Sequence, residues 1–205
     1  MLLSCSHFFK IWYTIGMRFI GLILGRFQGV TNAHEKLIQR SLLENEITFV
    51  YIINGSQTKG NPFDFEFRKS LIASVFGERI KIRQAKTANL DKIGDEIIQD
   101  LGLSPQEEKS HLSVYCGEDR SSGYGLQLKY INGFDKNGVD MTGGKKNILI
   151  ASIIYIPRPE HGISATQVRQ LILENNKKAF SRQTPKPTWI YYQKMREILR
   201  NHEAL

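Results

Sequence analysis

The segment GRFQGVTNAH, residues 25–34, gathers residue types that bind phosphate into one turn between a predicted strand and a predicted helix. They are Gly25, Arg26, Gln28, Gly29, Thr31 and His34. Glycines let a backbone approach a ligand closely, and a helix start offers unpaired N–H groups and the positive end of the helix dipole. His34 could donate to a phosphate oxygen. A histidine at a helix start is also commonly a surface or packing residue, so both interpretations stay open.

A second segment, ISATQVR at residues 163–169, offers related chemistry at another predicted helix start. Ser164 is placed to cap that helix, while Thr166 and Arg169 supply a hydroxyl and a positive charge that can hold a phosphate. By itself the pattern is that of an ordinary capped helix.

Alternating strand and helix patterns must position these two segments. Buried apolar runs predict strands over residues 18–25, 47–54, 79–85, 112–117 and 148–156. Helical spacing predicts helices from an N-cap at Asn32 and over 64–76, 89–102, 164–175 and 188–200, with a loop at 132–147. This alternation predicts an α/β fold: a Rossmann-like doubly wound parallel sheet of about five strands with helices on both faces. Ligands bind such sheets at the carboxyl ends of the strands, where both segments fall.

The charge balance of the chain favours anionic ligands. Lys and Arg total 28 against 20 for Asp and Glu, which gives a net charge of +8. Nucleotides, nucleic acid and membrane surfaces all fit this balance, although no basic run of the kind that marks a nucleic-acid-binding tail occurs. We therefore expect neither a nucleic-acid nor a membrane partner, and keep nucleic-acid binding as a minor alternative.

Several other kinds of site are excluded by the sequence. The dinucleotide motif GxGxxG is absent, and GVDMTGGKK carries Gly144 at the lysine position of a Walker sequence. Cys5 and Cys116 form neither a metal-ligand spacing nor a disulfide framework, so we expect no protein metal site and a reducing cytoplasm.

Residues 1–16 are apolar but too short to span a bilayer. We expect them to be an extension, from an upstream start or a lineage-specific insertion, ahead of one domain over 17–205.

Four segments in order resemble those of nucleotidylyltransferases of the HIGH superfamily. GRFQGVTNAH resembles their GRFQPxHxGH signature, and ISATQVR resembles their ISSTxxR signature. GSQTKGNPFDFEFRKSL is similar to the GSAQ…NPFTxxER segment of archaeal-type nicotinamide-mononucleotide adenylyltransferases. YCGEDRSSGYGLQL is similar to a segment of the bifunctional Nudix-linked enzymes. The match in order and spacing covers residues 18 to 190.

The resemblance implies adenylyl transfer from ATP, delivered with Mg²⁺, to nicotinamide or nicotinate mononucleotide. The implied catalytic residues are His34, Arg169 and Thr31. The implied ATP-binding residues are Gly25, Arg26, Phe27, Gln28, His34, Ser164, Thr166 and Arg169. The implied residues for the acceptor substrate are Arg68, Asn89, Gly55 and Ser56. A cytoplasmic enzyme that forms a homo-oligomer is the corresponding expectation.

The chain also departs from the family pattern. It has Gly29 where the family has Pro, Thr31 where His is usual, and Ala33 where Gly is usual. The family holds the nicotinamide with an Asn and a nearby Trp; Asn89 matches the former, and no Trp lies near it, the positions offered being Lys92 and Ile93. Two alternatives therefore stay open beside the leading hypothesis: a transferase with another phosphate acceptor, and a nucleotide-binding regulator without turnover.

Overall fold

Five parallel strands form one sheet in the part of the chain that the computed structural model describes, residues 17–58, 60–104, 110–134, 149–157 and 162–203. The strand order is β3–β2–β1–β4–β5. The strands are β1 (Phe19–Gly25), β2 (Ile47–Ile53), β3 (Lys81–Ala85), β4 (Ser110–Gly117) and β5 (Leu149–Ile156). The chain moves outward from β1 to β3 on one side and then places β4 and β5 on the other. The order therefore reverses between β1 and β4, which is the switch point where such folds bind ligands.

Helices connect the strands and cover both faces of the sheet. They are α1 (Asn32–Glu44), α2 (Phe65–Phe76), α3 (Leu90–Leu101), α4 (Glu118–Ile131), α5 (Ala165–Leu173), α6 (Lys177–Gln183) and α7 (Tyr192–Glu203). Short 3₁₀ segments lie at Gly77–Arg79 and Lys186–Tyr191. None of the described helices is both long and apolar enough to cross a membrane.

Successive residues of the strands feed two separate apolar layers. Leu22 of β1 packs in the layer under α3 and α4, whereas Ile23 packs in the layer under α1, α2 and α5 to α7. Because side chains alternate across a strand, a strand buried on both faces must be apolar throughout. This confirms the predicted doubly wound parallel sheet with helices on both faces.

Some local predictions need correction. The N-cap of α1 is Thr31, not Asn32, because the Thr31 side chain accepts the backbone N–H of His34. The last helix begins at Tyr192, since the residues from Lys186 to Tyr191 form a 3₁₀ segment with Pro187 in its first turn. Residues 1–16, and most of the loop predicted over 132–147, lie outside the described residues.

The helices α4 and α6 have no counterpart among the predictions. The α4 sequence, EDRSSGYGLQLKYI, contains two serines and two glycines, which are poor helix formers. Tyr124, Leu128 and Ile131 of this helix are buried in the layer that also contains Leu149 of β5. Tertiary burial therefore overrides a weak local preference, as it does for most protein helices.

Gly21 of β1 lets α1 lie unusually close to the sheet. A Cβ at this position would lie 1.9 Å from the Ser41 hydroxyl oxygen and 2.9 Å from the Asn45 amide nitrogen. Both groups belong to a buried polar cluster: Ser41 and Thr48 share a hydrogen bond of 3.0 Å, and Asn45 donates to the Tyr115 hydroxyl at 2.8 Å.

We expect Gly21→Ala to lower the free energy of unfolding by about 1–3 kcal/mol, because the added methyl overpacks this contact. Ser41→Ala in the same chain should restore part of the loss by removing the closest atom. Gly123→Ala is the matched control: nothing lies within 4 Å of its added Cβ and it is helical, so stability should hold or rise. Urea unfolding of the variants measures this, and equal stability of Gly21→Ala and wild type would contradict it.

The burial of His111 predicts the sign of one pH dependence of the fold. The ring is half-buried in β4, with its Nε2 at 2.8 Å from the Ser152 hydroxyl, and burial lowers its pKa below the ordinary value of 6.5. As pH falls through about 6.5, the unfolded chain therefore takes up this proton before the folded chain does. We expect the free energy of unfolding to fall over that range, and His111→Gln to remove that part of the slope. An unchanged slope in His111→Gln, followed by urea unfolding from pH 7.5 to 5, would refute this assignment.

Candidate functional site

The loop between β1 and α1 has an unusual backbone. Phe27 has a φ of +49° and Gly29 has a φ of +131°. The left-handed region costs a residue with a side chain about 1–2 kcal/mol, and glycine avoids this cost. Gly29, which stands where the resembling signature has Pro, therefore fits the conformation of this loop, which proline could not adopt.

The Gln28 side chain holds this loop against the segment before α2. Its amide nitrogen donates to the Phe63 carbonyl, and its amide oxygen accepts the Phe63 backbone N–H, both at 3.0 Å. The side chain is 3% exposed. The side chain acts as a clamp between two backbone segments, and a direct contact to ATP remains a prediction.

Arg68 holds the same loop from the side of β2. Its guanidinium donates to the carbonyls of Arg26 and Ile53 at 2.8 Å, to the carbonyl of Asp64 at 2.9 Å and to the Asn54 side chain at 2.9 Å. Burial lowers the pKa of Arg68, while the nearby Asp64 charge acts in the opposite direction. With 1% of its surface exposed, Arg68 fixes the ends of β1 and β2. The substrate contact implied by the resemblance is untested.

His34 and Thr31 form a reciprocal cap at the start of α1. The Thr31 hydroxyl accepts the His34 backbone N–H at 3.3 Å, and the Thr31 backbone N–H donates to His34 Nδ1 at 3.1 Å. Because a backbone N–H can only donate, Nδ1 carries no proton, and the neutral ring holds its proton on Nε2. The cap therefore selects the tautomer in which Nε2 is a donor. Thr31 is buried and bonded to His34, and its catalytic role stays a prediction.

The start of α5 meets the β1–α1 loop. Ser164 caps α5 in a second reciprocal pair with Gln167, at 3.2 and 2.7 Å. Arg169 donates to the Gln28 carbonyl at 3.0 Å and to the Thr166 hydroxyl at 3.2 Å. Burial lowers the pKa of Arg169 from its ordinary value, yet an arginine remains charged at neutral pH. Two segments about 140 residues apart in sequence are thus joined by one hydrogen bond.

Both segments open onto a cleft of about 1070 Å³ at the carboxyl ends of β1, β4 and β5. Its lining includes four cationic side chains: Arg26, Lys36, Arg120 and Arg169. No acidic residue occurs among the described residues that line it. Within the described ranges, no group of three or more His, Cys, Asp or Glu side chains is placed to hold a metal. The described lining therefore favours an anion, and among these residues no carboxylate is available for a cation.

The structure brings together most of the predicted nucleotide-binding residues. Those that line the cleft are Gly25, Arg26, Phe27, Gln28, His34, Thr166 and Arg169. Ser164 is one residue before Ala165, which also lines it.

The predicted acceptor residues do not line the cleft. Gly55 and Ser56 are exposed on the loop after β2. The Asn89 side chain accepts the Lys92 backbone N–H at 3.1 Å and so caps α3. These residues therefore do not indicate where an acceptor substrate would bind in the cleft.

Sequence reasoning did not single out Lys36, Asn61 or Arg120, all of which line the cleft. Arg120 lies three residues after the end of β4, in YCGEDR, so the rule that polar residues after strands are informative could have found it. Lys36 lies one helical turn after Ala33 and hence on the same face of α1. Asn61 lies in the NPF segment, where the resemblance pointed to Arg68 instead.

Comparisons with known proteins find similarity in structure alone. Family models and curated proteins give no match to the chain. A bifunctional NMN adenylyltransferase/ADP-ribose pyrophosphatase from Francisella tularensis has a TM-score of 0.59 and 17% identity over 92% of this chain and 53% of its own length. The chain thus spans about half of that protein.

Two shorter proteins are similar over nearly their whole length. A nicotinic acid mononucleotide adenylyltransferase from Plasmodium falciparum, complexed with NaAD, has a TM-score of 0.54 and 17% identity over 86% of this chain and 95% of its own. A putative nicotinate-nucleotide adenylyltransferase from Vibrio parahaemolyticus has a TM-score of 0.54 and 12% identity over 90% and 96%. At these identities the likeness shows the fold: the chain has the Rossmann-like α/β fold found in solved structures of pyridine-nucleotide adenylyltransferases.

Proposed function

We propose that this protein transfers the adenylyl group of ATP to the phosphate of nicotinamide or nicotinate mononucleotide. The products would be NAD or deamido-NAD, and pyrophosphate. One observation carries the proposal: Arg169 donates to the Gln28 carbonyl and so places the start of α5 beside the loop that leads to His34. Two segments that resemble the nucleotidylyltransferase signatures therefore face one cationic cleft.

The chemistry needs positioning and charge compensation rather than a general base. The acceptor phosphate is largely ionised at neutral pH, and one of its oxygens attacks the α-phosphorus of ATP. The bond from the α-phosphorus to the bridging oxygen then breaks, and its electron pair leaves with pyrophosphate. Donors placed where charge develops lower such a barrier. His34 Nε2, the Thr166 hydroxyl and the Arg169 guanidinium are donors of this kind.

A divalent cation fits this site as part of the substrate. The cleft lining offers no carboxylate within the described residues, so the proposal gives the cation no ligands from these residues and assigns it to the triphosphate. Mg²⁺ bound to the triphosphate would offset part of its charge. Lys36, Arg120 and Arg169 would bind what negative charge remains.

A second candidate keeps the reaction and changes the acceptor. Asn89, the residue that resembles the family's nicotinamide contact, caps α3 and does not line the cleft. This favours a wider set of acceptors, such as phosphopantetheine or a sugar or alcohol phosphate.

Purified protein with ATP, Mg²⁺ and each acceptor, with CTP as the alternative donor, tests both candidates. We expect pyrophosphate release with at least one of the two mononucleotides and formation of the matching dinucleotide. Turnover with another phosphate alone would support the second candidate. ATP binding with no product from any acceptor would refute both and favour the regulator interpretation.

We expect His34→Gln to lower kcat about 10²-fold, the usual scale for losing one donor to a transition-state charge. Glutamine keeps the reciprocal cap with Thr31, since Ser or Thr followed three residues later by Gln is a standard capping pair. The melting temperature should therefore stay close to that of wild type. Full activity in His34→Gln would make His34 a packing residue.

A further inference from the structure

Phe27 is a bulky residue in a left-handed backbone conformation at the centre of the β1–α1 loop, with φ at +49°. Among the described residues the other non-glycine position with positive φ is Asn175, and asparagine tolerates this region through local hydrogen bonds. Phenylalanine has no such compensation. Such a conformation persists only where the surroundings enforce it, and it commonly marks a functional constraint.

Both neighbours of Phe27 are held by hydrogen bonds from distant parts of the chain. The Arg26 carbonyl accepts from Arg68 at 2.8 Å, and the Gln28 carbonyl accepts from Arg169 at 3.0 Å. The Gln28 side chain is also bonded to both backbone groups of Phe63. The left-handed turn at Phe27 joins two residues whose backbone positions are fixed independently.

The ring of Phe27 lies against the ring of His34. Their centroids are 5.1 Å apart with an angle of 51° between the planes, and Phe27 is 2% exposed. A Cβ at Gly25 would lie 3.1 to 3.4 Å from three atoms of the Phe27 ring, so residue 25 must be small for the ring to sit there. His34 is thus located by a hydrogen bond from Thr31 to Nδ1 and by an aromatic contact with Phe27.

We propose that Phe27 is a positioning residue, which fixes the plane of the His34 ring so that its Nε2–H is held for the reacting phosphates. The buried ring has little surface to offer a ligand, so it acts through His34. The expected effect of Phe27 on turnover rests on the proposed function, whereas its expected effect on the His34 ring does not.

Phe27→Leu removes the ring but keeps much of the buried apolar volume. We expect kcat to fall about 10- to 100-fold, since a small misplacement of a catalytic group has effects of that size. KM for ATP should stay within about twofold. Phe180→Leu is the matched control, because Phe180 is also 2% exposed and contacts Tyr192 instead of the cleft. It should lose a similar amount of stability and keep kcat.

The His34 ring is observed directly by ¹⁵N NMR of the imidazole nitrogens. Wild type and Phe180→Leu should show the single tautomer with the proton on Nε2. Phe27→Leu should show a mixture, because a ring that turns out of its plane loses the Thr31 bond that selects the tautomer. Gly25→Ala, which leaves Phe27 in the chain and displaces its ring, should shift the His34 signals in the same direction.

Equal kcat in Phe27→Leu and Phe180→Leu, or a raised KM for ATP at unchanged kcat, would overturn the positioning role. An unchanged His34 spectrum in both Phe27→Leu and Gly25→Ala would overturn it as well. If wild type turns over no acceptor, the proposed function fails, and the NMR comparison still decides whether Phe27 fixes the His34 ring.

Discussion

Hydrogen bonds from two arginines to backbone carbonyls of the β1–α1 loop are the constraint on which the candidate site depends. Arg68 reaches the Arg26 carbonyl from the side of β2, and Arg169 reaches the Gln28 carbonyl from α5. Carbonyl oxygens carry partial negative charge and would repel a bound phosphate. Hydrogen bonds from the guanidinium groups offset part of this negative charge and so weaken the repulsion. The loop thereby becomes compatible with an anion, and its strained conformation is held in place.

The two arginines contribute differently because they differ in burial. Arg68 is enclosed, and its hydrogen bonds to neutral oxygens and the nearby Asp64 offset the cost of a buried charge. These bonds hold the ends of β1 and β2 together. Arg169 lines the cleft as well as bonding to Gln28, so one guanidinium both shapes the loop and contributes charge. Arg169 therefore both holds the β1–α1 loop against α5 and faces the cleft.

The sequence predicts the sheet well because burial on both faces demands continuous apolar runs, as in β1 and β2. It also predicts that segments 25–34 and 163–169 meet, since both follow strands that end at the same edge. It does not predict whether a polar side chain near the site points into the cleft or bonds to the backbone. Gln28 and Arg68 have the residue types of ligand contacts, yet Gln28 bonds to the backbone of Phe63 and Arg68 bonds to the carbonyl of Arg26, which are 35 and 42 residues away. Only the tertiary structure supplies these partners.

The cationic lining follows from the proposed reaction itself, which brings two anions together. A unit pair of like charges about 4 Å apart repels by about 4 kcal/mol at an effective dielectric constant near 20. Fixed positive charge reduces this cost without reorganising during the reaction. Lys36 and Arg120 are exposed cations of the cleft lining, and Arg169 is held by hydrogen bonds to Gln28 and Thr166. In the proposed reaction Arg169 would therefore serve both attraction and alignment, because it lines the cleft and is bonded to the β1–α1 loop.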